Sequence, residues 1–558
     1  SVRGEFDGAL KLEAGAGRVA TLAFSGTATL AGQMMLPGAI EQKWRASGPL
    51  VMDADGIRSE AFDLRAGEEA RTVSATGAFE AFFRDAGDPK STAHATLTLA
   101  AQQINADALL GGEGPRQPAM AVLADWLQQL AAQKRLVSFF PVPVDLEIAA
   151  AALTLGQDTL SKVSLKAKME PGKPVSLAFA AGAPGTTSLT LNGTLETGAA
   201  ALLRSHIAFA TRDMRRLEQW LGRGLPRARQ VAAAAPYRSF RLAGNADISR
   251  AGIAARDLQI YTGRSQFSGT IIYTKSVGAE RARLHVDLVS PALDIDGLGD
   301  FSAPARALGD IDFDAIFDAR AVRLAQFGKG VVDAGEIKLR LERKDGVLRL
   351  PLLDIRNLGG ANVAATGSLE DGEGRAEVTV DAKNLVQVSQ LLARVAPGPW
   401  SAALVTRAAA LSPASLKVSM RATSATARPA STEAAEVLVL NSLEVAGDLN
   451  GTKVRVRSGR DQNNQTSNEM GASGSLKLEA EKPSVLLRQL GLQAITLSGV
   501  GKGLLEASWR PASNGNRRAA NKVLQPVVDL KAQIAGTAFS FSGTAASLLP
   551  QPDLRGRL

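Results

Sequence analysis

The chain offers few side chains capable of covalent or metal chemistry, and their spacing limits what they can do. It has three histidines and no cysteine in 558 residues. His94, His206 and His285 each sit in a separate stretch of alternating apolar and polar residues. A nucleophilic triad or a histidine metal centre needs its members brought together, and no pattern here couples one histidine to another. They read as outward-facing strand residues. The lack of cysteine removes disulfides and thiolate metal sites. The run Asp310-Ile311-Asp312-Phe313-Asp314 has the spaced carboxylates that open a calcium loop, but Ala315 stands where that loop turns on glycine, and no glutamate closes it. It reads as the wet face of a strand. Gly499-Val500-Gly501-Lys502-Gly503 lacks both the Lys-Ser/Thr pair of a phosphate loop and the spacing of a dinucleotide fingerprint, and reads as a strand kinked by glycines. These readings assign no catalytic residue, no metal ligand and no cofactor, and the chain is expected not to be an enzyme.

Charge narrows the partners. The net charge is +9, and aromatics make up only 5% of the residues. Basic residues gather at Arg212, Arg215, Arg216, Arg223, Arg227 and Arg229, and again at Arg510, Arg517, Arg518 and Lys522. Aromatics are not interleaved with either cluster, which argues against a nucleic-acid partner. A solvated helix face and a polar loop account for the clusters; contact with anionic phospholipid headgroups is the alternative.

The elements that position these residues come from a repeat. Phe24-Ser25-Gly26-Thr27 recurs as Phe267-Ser268-Gly269-Thr270 and Phe541-Ser542-Gly543-Thr544, with looser copies at Thr76-Gly77-Ala78, Asn192-Gly193-Thr194, Thr366-Gly367-Ser368 and Ser473-Gly474-Ser475. A catalytic motif has no reason to be copied so often, whereas a structural unit does. Glycine inside a strand pattern marks a bulge, a bend or a close backbone approach. Residues 242–273 form the best-developed unit: short apolar alternations broken by Arg250-Ala251-Gly252 and Thr262-Gly263-Arg264, as in an antiparallel meander. A second element recurs at 96–110, 207–221, 284–298, 378–392 and 476–490, each read as an alternating strand, a polar link and a short apolar pattern at helical spacing. The copies are unevenly spaced, so the reading is a set of strand meanders with short helices and insertions, not a tight solenoid. The chain divides into N-terminal repeats over 1–235, the clearest copies over 236–395, and C-terminal repeats with polar loops over 396–558.

The alternation also separates wet from dry faces. Leu476 and Leu478 oppose Lys477 and Glu479, and Leu284, Val286 and Leu288 oppose His285 and Asp287. One face is apolar and one solvated, as antiparallel sheets allow. The long helix expected over 118–136, with Val122, Leu123, Trp126, Leu127 and Leu130 on one stripe, spans only ~28 Å and cannot cover so much sheet. Either the sheet closes on itself as a barrel or sandwich, or its apolar face bounds a groove filled by something else.

The pattern written in Arg241 to Thr270, with its Ile-Ser, Gly-Ile, Asp-Leu and Phe-Ser-Gly-Thr steps, resembles the repeating core of the AsmA-like proteins of Gram-negative bacteria, and Val286-Asp287-Leu288 through Gly299 is similar to the same family. The resemblance implies a mainly β fold, an elongated antiparallel sheet of repeated meanders with short helices, curled into an open taco-like groove. It also implies a periplasmic protein tethered to the inner membrane by an N-terminal helix and concerned with outer-membrane biogenesis. The family's largest members resemble bridge-like lipid transfer proteins that carry glycerophospholipid. The sequence opens at Ser1 and stops in mid-pattern at Leu558, as expected of a piece of a longer protein, and it contains no apolar run of the ~18–20 residues that a membrane helix requires. The family's membrane anchor would lie outside it.

Two functions follow. The first is a lipid carrier that holds or conducts phospholipid along an apolar groove lined by Leu97, Leu99, Ile207, Phe209, Leu284, Val286, Leu288, Val378, Val380, Leu476 and Leu478. The competing reading of these positions is ordinary core of a closed sandwich. The second function is a non-enzymatic envelope scaffold that assists an outer-membrane assembly protein, pairing through exposed strand edges.

Overall fold

Period-two alternation of apolar and polar residues, rich in Val, Leu, Ile, Thr and Ala, directs the chain into strands. The computed structural model describes residues 2–13, 21–36, 40–53, 55–67, 73–83, 93–109, 142–155, 157–196, 202–222, 239–249, 251–278, 280–295, 311–324, 332–395, 399–427, 435–459, 473–492, 501–510, 527–547 and 553–557. The helix expected over 118–136 lies outside them. The chain packs as two compact units, residues 1–285 with 297–311 and residues 286–296 with 312–558. Their boundary falls inside the segment 236–395.

The first unit opens with β1 (Val2–Glu13), β2 (Thr21–Leu36), β3 (Ile40–Met52), β4 (Gly56–Ala66), β5 (Val73–Phe82), β6 (His94–Asn105) and β7 (Val144–Leu155). It continues with β8 (Asp158–Met169), β9 (Val175–Ala183), β10 (Thr187–Glu196), β11 (Leu202–Thr211), β12 (Phe240–Ser249), β13 (Gly252–Thr262) and β14 (Ser265–Thr274). β15 (Arg283–Asp294) runs across the boundary. The second unit holds β16 (Asp312–Leu324), β17 (Val332–Lys344), β18 (Val347–Leu358), β19 (Ala361–Glu370), β20 (Glu373–Ala382), β21 (Ala414–Ala427) and β22 (Ala435–Leu449). It ends with β23 (Thr452–Gly459), β24 (Ser473–Ala480), β25 (Gly503–Arg510), β26 (Val527–Ile534), β27 (Thr537–Ser547) and β28 (Asp553–Arg557). The described helices are short: α1 (Ala106–Leu109), α2 (Met214–Gly222), α3 (Val386–Val395), α4 (Pro399–Arg407) and α5 (Pro483–Leu490).

From β1 to β14 each strand pairs with the next. The same holds from β16 to β28. The fold is mainly β, a long and mostly antiparallel open sheet that does not close into a barrel. Among the described pairs one departs from the expected meander: β6 and β7 run parallel. Parallel neighbours need a crossover of a dozen or more residues, and the long connection between Asn105 and Val144 provides it.

Each copy of the glycine motif falls within a strand, and packing explains why. A Cβ on Gly26 would meet the Asp7 carbonyl oxygen across the pair, and one on Gly193 would meet that of Arg204. At Gly77 it would meet the Phe62 ring at 2.7 Å, and at Gly474 the Trp509 ring, so an aromatic of the adjacent strand lies over the bare backbone. A second device keeps the faces consistent. In β13 the register shifts between Ala255 and Leu258, with Asp257 at φ 54°, and in β18 between Ile355 and Leu358, with Asn357 at φ 61°. Asp and Asn tolerate the left-handed region. The extra residue resets the alternation so that apolar residues three apart return to one face, leaving Leu258 and Leu358 buried.

Helices follow four of the five predicted strand–link–helix segments. The third differs: β15 continues through Pro291 to Asp294, so the link and the start of the helical pattern expected there are strand. Its sequence Pro-Ala-Leu-Asp-Ile-Asp alternates at period two as readily as at helical spacing, and the sheet takes it. α4 was not anticipated; Pro399 at its first position is the only signal.

The helices build small cores at strand ends. In the first unit Leu217 and Trp220 of α2 pack on Leu155 and Leu160, and the Trp220 Nε1–H donates to the Leu155 carbonyl at 2.7 Å. In the second, Leu385 just before α3 packs with Ala361, Ala382 and Ala414, and α5 seats Leu486 against Ala480 and Leu505 and Leu487 against Ala532 and Ile534. Gly193→Ala is therefore expected to cost about 1–3 kcal/mol and to lower the melting temperature by a few degrees. Gly374→Ala, whose nearest neighbour would be at 3.6 Å, should melt like the parent by circular dichroism.

Candidate functional site

Register determines which side chains share a face. In the second unit one cross-strand row runs Phe317, Leu339, Leu353, Ala365, Val378 and Val418 from β16 to β21. It continues through Val445, Val456, Leu476, Ala507, Leu530 and Phe541 to β27. Every member is apolar. At about 4.8 Å per strand the row extends roughly 50 Å. A parallel row nearer the helices holds Ile355, Val363, Val380, Leu416, Val454, Leu478 and Leu505. In the first unit Leu99, Ile148, Leu165, Phe179, Leu191 and Ile207 form such a row, Leu97 stands opposite Leu146, and Phe209 stands between Leu189 and Leu242.

The opposite face is laced with ion pairs across strands: Lys166 with Glu147 at 2.8 Å, Lys417 with Glu377 at 3.1 Å, Arg457 with Glu444 at 3.0 Å and Lys477 with Glu506 at 2.8 Å. The hydrogen bond from Lys477 holds the Glu506 carboxyl below its ordinary value and raises the ammonium above its own. Such exposed pairs contribute little to stability, because solvent screens them. They specify which face is wet more than they stabilise the sheet.

All of the positions expected to line a groove, Leu97, Leu99, Ile207, Phe209, Leu284, Val286, Leu288, Val378, Val380, Leu476 and Leu478, are half-buried. None belongs to the buried core. Phe209 lies at the margin of the α2 core, and Leu476 and Leu478 at the margin of the α5 core. Val378, Val418, Val445 and Val456 belong to no buried cluster among the described residues. The strands thus bring Leu97, Leu99, Ile207, Phe209, Val378, Val380, Leu476 and Leu478 into rows, but sequence reasoning missed most members between them. The signal was present in the alternation of Leu416-Lys417-Val418-Ser419-Met420 and Leu443-Glu444-Val445.

At the strand ends away from α3 and α5, the second unit's sheet curves around a concavity of about 1170 Å³. Its lining includes Leu350, Met420, Leu443 and Trp509 together with Arg349, Arg375, Arg421 and several serines.

The other singled-out residues are dispersed. His94 is exposed and its ring stacks on Phe82, with centroids 4.7 Å apart. The exposed His206 Nδ1 lies 3.2 Å from Asn245 Oδ1, and His285 is half-buried on β15. Asp312 and Asp314 sit half-buried at the start of β16, the latter 3.7 Å from Arg340, while Asp310 is outside the described residues. Lys502, just before β25, pairs with Glu481 at 2.9 Å; Gly499 and Val500 are outside the described residues. Arg216 donates to Asp158 at 2.9 Å, whereas Arg223, Arg227, Arg229, Arg517, Arg518 and Lys522 are not described. No group of three or more metal-ligating side chains occurs among the described residues. No family model, curated protein or solved structure matches the chain.

Half-burial and full burial make different energetic predictions. Leu486→Ala, at a fully buried site, is expected to cost about 2–5 kcal/mol. Val456→Ala, half-open, should cost about 1 kcal/mol or less. Chemical denaturation compares them, and equal losses would mean the row is closed core.

Proposed function

We propose that this chain is a lipid-binding protein of the AsmA-like kind, holding phospholipid acyl chains against the apolar sheet face in the periplasm of a Gram-negative cell. The carrying observation is the unbroken apolar row from Phe317 to Phe541, half-exposed along its middle and facing away from the ion-paired side. Burying one methylene is worth about 0.8 kcal/mol. Ten methylenes against this face therefore offer about 8 kcal/mol before the cost of ordering, the scale of micromolar binding. No converging polar site is needed for that, and headgroups stay in water. The repeated meanders and glycine sockets support the family resemblance, in which such a face serves outer-membrane biogenesis.

Native mass spectrometry of the purified chain, with solvent extraction of the same sample, tests this reading. Co-purifying phospholipid is expected in the parent and at least a fivefold loss in the double variant Val378→Asp/Val418→Asp, as two buried charges at the centre of the row would impose. The variant should keep its far-UV circular dichroism. A folded parent free of lipid, or a variant that keeps its lipid, would refute the proposal.

A further inference from the structure

The concavity at the strand ends away from the helices opens on the apolar face. One cross-strand row from β20 to β25 runs Ala376, Met420, Leu443, Ser458, Gly474 and Trp509. Each of the six lines the concavity of about 1170 Å³, and each is half-buried. Val378, Val418, Val445, Val456 and Leu476 stand two residues further along their strands, toward the helices, and alternation puts both rows on one face. The exposed Arg349, Arg375 and Arg421 form a row with Ser368 one residue out of step, on the opposite, ion-paired face. The concave row itself carries no charge.

It carries two neutral hydrogen-bonding groups instead. Ser458 and Trp509 stand on either side of Gly474 in the register. A Cβ on Gly474 would meet Cζ2 and Cε2 of the Trp509 ring, so the indole edge that bears the N–H lies over the glycine and reaches toward Ser458. Elsewhere such groups are matched: the Trp220 Nε1–H donates to the Leu155 carbonyl at 2.7 Å, and the Ser473 hydroxyl donates to the Gly459 carbonyl at 3.2 Å. The Ser458 hydroxyl and the Trp509 Nε1–H have no such partner among the described residues. A ligand that covers them without offering an acceptor leaves them unsatisfied and loses affinity. Two neutral donors with no cation beside them suit an uncharged carbonyl oxygen.

We propose that Ser458 and Trp509 receive the ester carbonyls of a diacyl glycerolipid whose chains lie over Val456 and Leu476. An ester-linked lipid carries such a carbonyl at the head of each chain, and an ether-linked one does not. The inference rests on the lipid-binding reading above and adds the linkage class of the lipid and the direction in which it lies, esters at the far strand ends and chains toward the helices.

The test offers the full chain an equimolar mixture of diester and diether phosphatidylethanolamine with chains of equal length and reads the bound ratio by native mass spectrometry. The parent is expected to favour the diester about fivefold, the scale of one net hydrogen bond. Ser458→Ala/Trp509→Phe, which keeps a ring to cover Gly474, should retain as much total lipid with a ratio near one. Ser458→Ala alone should give an intermediate ratio, which keeps the test readable if the double variant misfolds. Ser475→Ala removes an exposed hydroxyl from the opposite face and should leave the parent's ratio unchanged. A parent without preference, a preference that survives in the double variant, or one lost in Ser475→Ala overturns the ester site while leaving the apolar face standing. Failure to retain either lipid overturns the apolar-face reading as well.

Discussion

Cross-strand register is the constraint on which everything else depends. Side chains alternate with period two, so a slip of one residue would turn every apolar row outward. Val378, Val418, Val445, Val456 and Leu476 share a face only because each strand pair keeps its partners. The bulges at Asp257 and Asn357 show how closely register is held: each inserts one residue where apolar side chains fall three apart, and so returns them to the same side. The glycine motif does a related task. It clears space where the next strand's backbone, or an aromatic such as Trp509, lies against the sheet.

Such a sheet has one apolar face, and the described helices cover little of it. The described helices sit at strand ends, where their leucines make compact cores such as Leu486 with Ala480 and Leu505. Between those cores and the far strand ends the apolar rows are only half-covered. A long apolar row left partly exposed has the character of an interaction surface. A row that crosses many strands without a polar interruption suits a ligand that is itself long, flexible and apolar. The wet side, with its alternating Lys–Glu pairs, has the character of ordinary solvated sheet.

Much of this was legible in the sequence, for physical reasons. The repeated Phe-Ser-Gly-Thr motif and the alternation around it identified the strands, and the pairing of strand with short helix held in four of the five segments, as at Leu217 and Leu486. The failures are equally instructive. Residues 291–294 alternate at a period compatible with either element, and only the neighbouring ladder decides that they continue β15. The parallel pair of β6 and β7 depends on how a long connection returns, which no local pattern encodes. The arginine row was invisible because Arg349, Arg375 and Arg421 lie on different strands and meet only through register. Likewise Val378 and Leu476, predicted one by one, prove to be members of a single row whose intervening valines had not been singled out.

The most direct measurement is site-specific photocrosslinking in cells, with a photoreactive phenylalanine analogue at Val445 on the apolar row or at Lys417 on the wet face, followed by mass spectrometry of the adducts. Lipid adducts at Val445 and none at Lys417 are the predicted result. Adducts at Val445 that join only to other residues of this chain would show that the row is closed on itself, and would contradict the account.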